Sequence, residues 1–216
     1  MLLTVDEKTW TPELSNTATL GDLLGILQNE LAATPAGAGG ARVVVRVELD
    51  GHVLDGPALE TARTWPIDQR NVKFLTAEKG PLARSMVGKI AALIEYLAGQ
   101  HAEIARLFEQ NQPGKALEKL AGVLSAWQQI QHAFSTTLTM LQVDVNTLMV
   151  GDVPAADLIA EFCLQLKSIE TALKDHDMVL LADILQYEMD TAVANWVGML
   201  EATVALLEKE HLVAAT

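Results

Sequence analysis

The sequence predicts an α+β N-terminal domain over residues 1–79, followed by an all-α, antiparallel four-helix bundle over residues 81–216. Apolar residues alternate with polar ones in parts of the first region, whereas they recur at steps of three and four throughout the second. Five of the seven prolines also lie within the first 81 residues, which leaves long stretches for helices afterwards. Apolar residues form 50% of the chain and charged residues 20%, so we expect a buried core.

The N-terminal region begins with a predicted strand. Leu2, Leu3 and Val5 open it, and residues 9–14 are its expected partner. Pro12 lacks the amide hydrogen that a central strand needs, so this partner is expected at a sheet edge.

A leucine-rich helix is predicted next. Its N-cap is either Thr19 or Asn16, and the glycine-rich stretch at residues 35–40 ends it. One face of this helix carries Leu20, Leu23, Leu24, Leu27 and Leu31.

Three further strands are predicted after the glycine-rich stretch. Residues 42–49 alternate apolar and charged side chains, and Asp50-Gly51 is a typical hairpin turn into residues 52–54. Residues 71–76 form a last short strand.

The order of these elements resembles the ubiquitin-like β-grasp fold over residues 1–79. The resemblance is carried by "TLGDLLGILQNEL", "RVELDGHVLDG" and "NVKFLTAE". It implies an apolar partner-binding patch on the strand before the turn, but Glu48 occupies the position of the expected isoleucine. The chain also continues past Gly80 into a predicted helix and has no exposed Gly-Gly there. The resemblance therefore implies the fold and not the conjugation chemistry.

Four helices are predicted in the second region, at about residues 81–111, 113–142, 155–174 and 177–211. Pro81, Pro113 and Pro154 suit the first turn of a helix, where a missing amide hydrogen costs nothing. The inward stripe of the first helix includes His101, and that of the second includes Leu117. Short connections favour antiparallel neighbours.

The last helix has more apolar surface than one bundle seam requires. At 1.5 Å per residue it is roughly 50 Å long, against roughly 30 Å for the third helix. We expect the excess to be covered either by the loop at residues 143–153 or by a second copy of the chain. The predicted partner-binding residues are Leu148, Met149, Val150, Val193, Val197, Leu200, Val204 and Leu207.

These patterns predict a non-enzymatic protein-interaction, scaffold or chaperone-like adaptor that binds a protein partner, such as an amphipathic helix, and forms a homodimer. The helical region is similar in topology and size to the bundle of bacterial flagellin-export chaperones. Residues 144–216 hold thirteen acidic and three basic residues. This excess indicates either a face for a basic partner or an ordinary solvated face.

Charge and composition argue against several classes of protein. A net charge of −13 would repel nucleic acid and anionic membranes, and no apolar stretch is long enough to span a bilayer. Acidic residues near Met1 precede any apolar run, so we expect no export peptide. The single cysteine, Cys163, suits a cytoplasmic location and is expected to be buried beside Phe162.

No reaction signature is present, so no catalytic residue, metal or cofactor is assigned. Glu208-x-x-His211 is the single match to one part of a carboxylate-bridged di-iron motif. His101 is either a ligand or base, or a core histidine bonded to a neighbour. The alternative function is an enzyme or small-ligand sensor with a site between the two domains or inside the bundle. His101, Tyr187 and Glu188 are then the first candidates.

Overall fold

The structure is a computed structural model that describes residues 2–14, 18–33 and 41–214, with side chains described up to residue 209. The chain divides into two compact units, Met1–Leu82 and Ala83–Thr216. The predicted α+β class is confirmed, because a mixed sheet is followed by a mostly helical region. None of the helices in the described ranges has both the length and the apolar composition needed to cross a membrane.

The N-terminal unit contains a five-stranded sheet. Its strands are β1 (Leu2–Val5), β2 (Lys8–Thr9), β3 (Arg42–Leu49), β4 (His52–Leu54) and β5 (Asn71–Glu78). Their spatial order is β2-β1-β5-β3-β4. Strands β1 and β5 are parallel, and the other pairs are antiparallel. The edge partner of β1 is β2, which is limited to Lys8–Thr9, whereas the sequence predicted residues 9–14.

Helix α1 (Leu20–Ala33) supplies the core of this unit. At its start the Thr19 amide donates to Asp22 Oδ2 at 2.8 Å, and the Asp22 amide donates to Thr19 Oγ1 at 3.3 Å. This reciprocal pair confirms Thr19 as the cap, while Asn16 lies outside the described residues. Of the five leucines predicted on one face, α1 buries Leu20, Leu23, Leu24 and Leu27, whereas Leu31 in its last turn is half-buried.

The hairpin between β3 and β4 is confirmed. Asp50 and Gly51 have φ angles of 51° and 84°, which is the left-handed pair that a type I′ turn requires. A short helix that the sequence analysis did not predict, α2 (Gly56–Ala62), follows directly. The Asp55 side chain caps it by accepting from the Ala58 amide.

The second unit contains long helices and one small hairpin. The elements are α3 (Lys79–Glu109, of which the first four residues belong to the first unit), α4 (Pro113–Leu141), β6 (Met149–Val150), β7 (Val153–Pro154), α5 (Ala155–Lys174), α6 (Met178–Asp183), a π-helical segment (Ile184–Glu188) and α7 (Met189–Ala214). The Asp177 side chain caps α6 by accepting from the Leu180 amide at 2.9 Å. The predicted last helix, residues 177–211, is divided into α6, the π-helical segment and α7.

Four aromatic side chains lie at the centre of this unit. Trp127 and Phe134 come from α4, Phe162 from α5 and Trp196 from α7. The Trp127 and Phe162 ring centroids are 4.6 Å apart, and Trp196 lies 5.4 Å from Phe134 and 5.7 Å from Phe162. Large buried rings contribute strongly to packing, so this cluster joins α4, α5 and α7 in one core.

Two predicted burials are wrong. Leu117 is 40% exposed, and Cys163 is exposed rather than buried. Successive residues on a helix are about 100° apart, so once Phe162 faces the core the next side chain turns towards solvent.

Candidate functional site

The eight predicted partner-binding residues divide into three groups by burial. Leu148, Leu200 and Leu207 are buried in the protein's own interior. Leu148 and Leu207 therefore offer no free surface to a partner, which corrects the expectation for them, whereas Leu200 keeps 4% of its surface exposed beside a groove. The exposed residues are Met149 and Val197, and the half-buried ones are Val150, Val193 and Val204.

The β6–β7 hairpin covers one side of α7. A Cβ atom built on Gly198 would lie only 2.7 Å from Val150 Cγ1, so the strand approaches the helix at its glycine. The sequence left two candidates for covering the last helix, the loop at residues 143–153 and a second copy of the chain. Because Val150 lies in this loop, the loop covers part of α7. Gly198 is the position that permits this contact.

An open apolar groove lies between α3 and α7. Its volume is about 630 Å³. The residues that line it are Val87, Ala91, Ile94, Glu95 and Ala98 from α3, and Val193, Val197, Leu200, Glu201, Val204, Ala205 and Glu208 from α7. The α7 side thus contains four of the eight predicted residues.

The apolar stripes of the sequence do not predict the α3 side of this groove. Ala91 and Ala98 are seven residues apart and so lie on the same face of the helix, where their short side chains leave a depression. Leucine and isoleucine stripes indicate apolar surface, and alanines do not stand out in such a pattern. The signal available in the sequence was a row of small residues beside Val87 and Ile94.

The edge of the groove is acidic. Its charged lining residues are Glu95, Glu201 and Glu208, all exposed, and no lysine or arginine is among the described residues that line it. An apolar floor beside three carboxylates favours a ligand with an apolar face flanked by positive charge.

The candidate catalytic residues do not form a site in the part of the chain that is described. His101 is fully buried, and its Nε2 accepts a hydrogen bond from Trp127 Nε1 at 3.1 Å. Tyr187 is 66% exposed and Glu188 is exposed, and no hydrogen bond of the described residues joins either to His101. The interpretation of His101 as a core histidine is therefore confirmed.

The electrostatics of His101 agree with this role. Burial lowers its pKa to about 4, with the nearby Asp190 carboxylate opposing the shift. The ring is therefore neutral near pH 7 and lacks the pKa near 7 that suits a general base.

No metal centre is found within the described ranges, where no three His, Cys, Asp or Glu side chains are grouped as ligands. Glu208 lies at the groove edge. The side chain of His211, the other member of the predicted pair, lies outside the described residues.

Comparison with known sequences identifies the family of the helical region. The profile of the family described as "Domain of unknown function (DUF8042)" matches residues 85–198, which is more than half of the chain. The chain therefore belongs to this family. No curated protein and no solved structure matches it significantly. The matched region includes the whole α3 side of the groove and, from α7, Val193 and Val197.

Proposed function

We propose that this member of the DUF8042 family is a non-enzymatic, chaperone-like adaptor that binds an amphipathic helix of a protein partner. The groove between α3 and α7 carries this proposal, because it combines an apolar floor with an acidic edge. The proposed partner helix has an apolar stripe flanked by lysine or arginine.

The shape of the groove supports a helical occupant. An amphipathic helix inserts side chains at steps of three and four into a hydrophobic groove between helices. Val193, Val197 and Val204 lie four and then seven residues apart along α7, which places them on one face, and all three retain some exposure. Burying them against a partner would remove apolar surface from water, which is the main source of affinity in such complexes.

The charges support a basic occupant. Glu95, Glu201 and Glu208 stand beside the apolar floor, and residues 144–216 carry thirteen acidic residues against three basic ones. Complementary charges accelerate encounter and discriminate against wrong partners more than they add to affinity. An acidic helix would meet repulsion in the same groove.

The predicted homodimer is the competing occupant. In a two-fold dimer formed through this face, each groove would meet the same face of the other copy. Glu95, Glu201 and Glu208 of both copies would then approach one another, which costs energy. The charges therefore favour a different, basic chain over a second copy.

We also propose a four-helix bundle for the second unit and a β-grasp fold for the first. All the long helices of the second unit contribute to one apolar core, and the connections from α3 to α4 and from α5 to α6 are short, which supports an antiparallel four-helix bundle. The similarity to the flagellin-export-chaperone bundle stays at this level of topology. In the first unit, α1 contributes to one core with a mixed sheet whose first and last strands are parallel, which supports a β-grasp fold.

The exposed, unpaired Cys163 supports the proposed cytoplasmic location. A free surface thiol persists in a reducing compartment and is prone to oxidation elsewhere.

Two labelled peptides test the proposal. Each is a helix-forming peptide of about 18 residues with leucines at positions i, i+3, i+4 and i+7. One has lysines flanking the stripe and the other has glutamates. In fluorescence anisotropy with the full chain, the lysine peptide should bind at least about tenfold more tightly than the glutamate peptide, since like charges at an interface are costly.

A matched pair of variants locates the binding surface. Val197→Glu introduces a charge into the groove floor and should weaken lysine-peptide binding by about tenfold or more. Val179→Glu makes the same change at a residue that is 74% exposed and lies outside the groove, so it should leave binding unchanged. Equal binding of both peptides, or equal effects of both variants, would refute the proposal. A dimer by light scattering that Val197→Glu dissociates would instead assign the groove to a second copy.

A further inference from the structure

A second cavity lies beside the C-terminal end of α4. Its volume is about 440 Å³, within the range of small-molecule sites. None of the described residues that line it also lines the α3–α7 groove, so this cavity is a separate feature. The lining residues come from α4, the loop that follows it, α5 and α7, and they are Gln131, Phe134, Ser135, Leu138, Thr139, Val143, Asp144, Val145, Ile159 and Trp196.

Polar and apolar lining residues differ in their exposure. The exposed ones are Ser135, Thr139 and Asp144, and each of them carries side-chain oxygen atoms. Ser135 and Thr139 are four residues apart, so they lie on one face of α4. The apolar residues that keep partial exposure are Val143, Val145 and Ile159. The three exposed residues therefore form a mouth with oxygen atoms, and the three apolar ones form walls that a ligand can contact.

The oxygen atoms of the mouth have unused capacity to accept hydrogen bonds. Asp144 Oδ1 accepts from the Asn146 backbone amide at 2.9 Å and from its side-chain amide at 2.7 Å. No donor among the described residues bonds to Asp144 Oδ2, and no such hydrogen bond engages the Ser135 or Thr139 hydroxyl group. The mouth therefore suits a ligand that brings hydrogen-bond donors.

Two features make this mouth electrostatically negative. The bonds from Asn146 lower the pKa of the Asp144 carboxyl, so it is ionised near pH 7. Thr139 lies in the last turn of α4, which ends at Leu141, and the helix dipole places partial negative charge at that end. No lysine, arginine or histidine is among the described residues that line the cavity. The cavity therefore favours a cation over an anion.

We propose that this cavity binds a small organic cation, namely an ammonium group on a compact apolar body. The Asp144 carboxylate balances the charge of the ammonium group. The body of the molecule packs against Val143, Val145 and Ile159, which removes apolar surface from water.

Three probes of nearly equal size separate charge from shape. 2-Phenylethylamine is a cation near pH 7, 2-phenylethanol has the same skeleton with a neutral hydroxyl group, and phenylacetate is an anion. In an amide correlation spectrum of the ¹⁵N-labelled full chain, 2-phenylethylamine should shift the backbone resonances of Val143 and Val145 in a saturable manner. It should bind about fivefold more tightly than 2-phenylethanol, as expected for a partly solvated ion pair, and this difference should shrink at high salt. Phenylacetate should bind more weakly than either.

A matched pair of variants assigns the charge to Asp144. Asp144→Asn removes the carboxylate and keeps the size of the side chain, so it should weaken 2-phenylethylamine binding by about fivefold. Binding of 2-phenylethanol should stay unchanged in this variant, because the walls of the cavity remain. Asp152→Asn makes the same change in net charge at an exposed residue that does not line the cavity, so it should leave both affinities unchanged.

The proposal is overturned if 2-phenylethylamine and 2-phenylethanol bind equally, if the Val143 and Val145 resonances stay in place, or if both variants lose equal affinity. If Asp144→Asn weakens both probes equally, the carboxylate supports the loop and not the ligand, and the proposal also fails. Val197→Glu in the groove should leave binding of 2-phenylethylamine unchanged, and Asp144→Asn should leave binding of the lysine peptide unchanged. Failure of either proposal therefore leaves the other standing.

Discussion

The indole nitrogen of Trp127 donates a hydrogen bond to Nε2 of His101 at 3.1 Å within the core of the second unit. The two rings are nearly parallel, with centroids 6.0 Å apart. Because Nε2 accepts, the proton of the neutral imidazole resides on Nδ1, which is buried and has no hydrogen-bond partner among the described residues. A charged imidazolium would lose the bond from Trp127, so this pair holds His101 in its neutral form.

The first prediction concerns stability in mild acid. The folded pKa of His101 is about 4, below the ordinary value of 6.5, so the unfolded state binds more protons between these values. Stability should therefore fall as the pH drops from about 6.5 towards 4, by about 3 kcal/mol in total at the lower end. Urea unfolding at several pH values in this window measures the loss.

The matched variant is His101→Gln, which cannot titrate. It should lose less stability than the unchanged chain over the same pH window, although it starts from a lower value because it disturbs the core. Asp6, Asp22 and Asp144 have lowered pKa values, so their contributions fade only at more acidic pH. Parallel pH profiles for the two chains would contradict the assignment.

The second prediction concerns the contact between Gly198 and the hairpin. An alanine methyl group at this position would lie 2.7 Å from Val150 Cγ1, so either the Val150 side chain or the hairpin must shift. We expect Gly198→Ala to destabilise the fold by about 1 kcal/mol, although alanine normally favours a helix over glycine by a similar amount. Thermal or urea unfolding measures the difference.

Two controls test the cause of this effect. Gly122 lies in α4 with open space around its Cβ position, so Gly122→Ala should stabilise the chain by about 0.5–1 kcal/mol. Adding Val150→Ala to Gly198→Ala should relieve the overlap and recover part of the loss. Stabilisation by Gly198→Ala alone would contradict the close packing.

The third prediction concerns the acidic edge of the groove. Glu201→Lys should weaken binding of the lysine-flanked peptide several-fold, by about 0.5–1 kcal/mol, because it replaces attraction by repulsion at a solvated position. Glu161→Lys on α5 makes the same change in net charge at an exposed residue that does not line the groove. Only the first variant should lower the salt dependence of binding. If both variants act alike, the net charge of the chain, and not the groove, governs binding.

The fourth prediction concerns Cys163. Because this thiol is exposed, the folded chain should react fully with a thiol reagent such as dithionitrobenzoate without denaturant. The rate should change little in urea, since the thiol is already exposed in the folded chain. Reaction only after unfolding would mean that the helix face has been assigned incorrectly.

Local patterns predicted several elements accurately. The pattern predicts the third helix at residues 155–174, and the structure has it at Ala155–Lys174, because Pro154 and the polar break after Lys174 limit it on both sides. Four of the five leucines of α1 are buried as their spacing predicts, and Leu31 is half-buried. Capping and turn residues act within a few positions of the chain, so their effects can be read directly.

Local sequence patterns do not predict the elements that depend on contacts between distant parts of the chain. The β6–β7 hairpin is two residues per strand, too short for a periodic signal, and it is supported by the surface of α7. The π-helical segment at Ile184–Glu188 lies within a regular apolar pattern that predicts an ordinary helix. A π-helical turn holds more residues than an α-helical turn, so it changes which side chains face inward. No residue type in the sequence indicates that change.

From its amino acids alone, this chain determined where most helices and strands begin and end, and that one late helix carries more apolar surface than it needs. The tertiary structure alone decided that Leu200 and Leu207 are hidden while Val197 remains open, and that alanines from α3 complete a groove beside it. It also decided that the loop after α4 meets α5 and α7 around a second cavity. The reason is that periodicity specifies which residues share a face, whereas burial depends on the side chains that a neighbouring helix brings against that face.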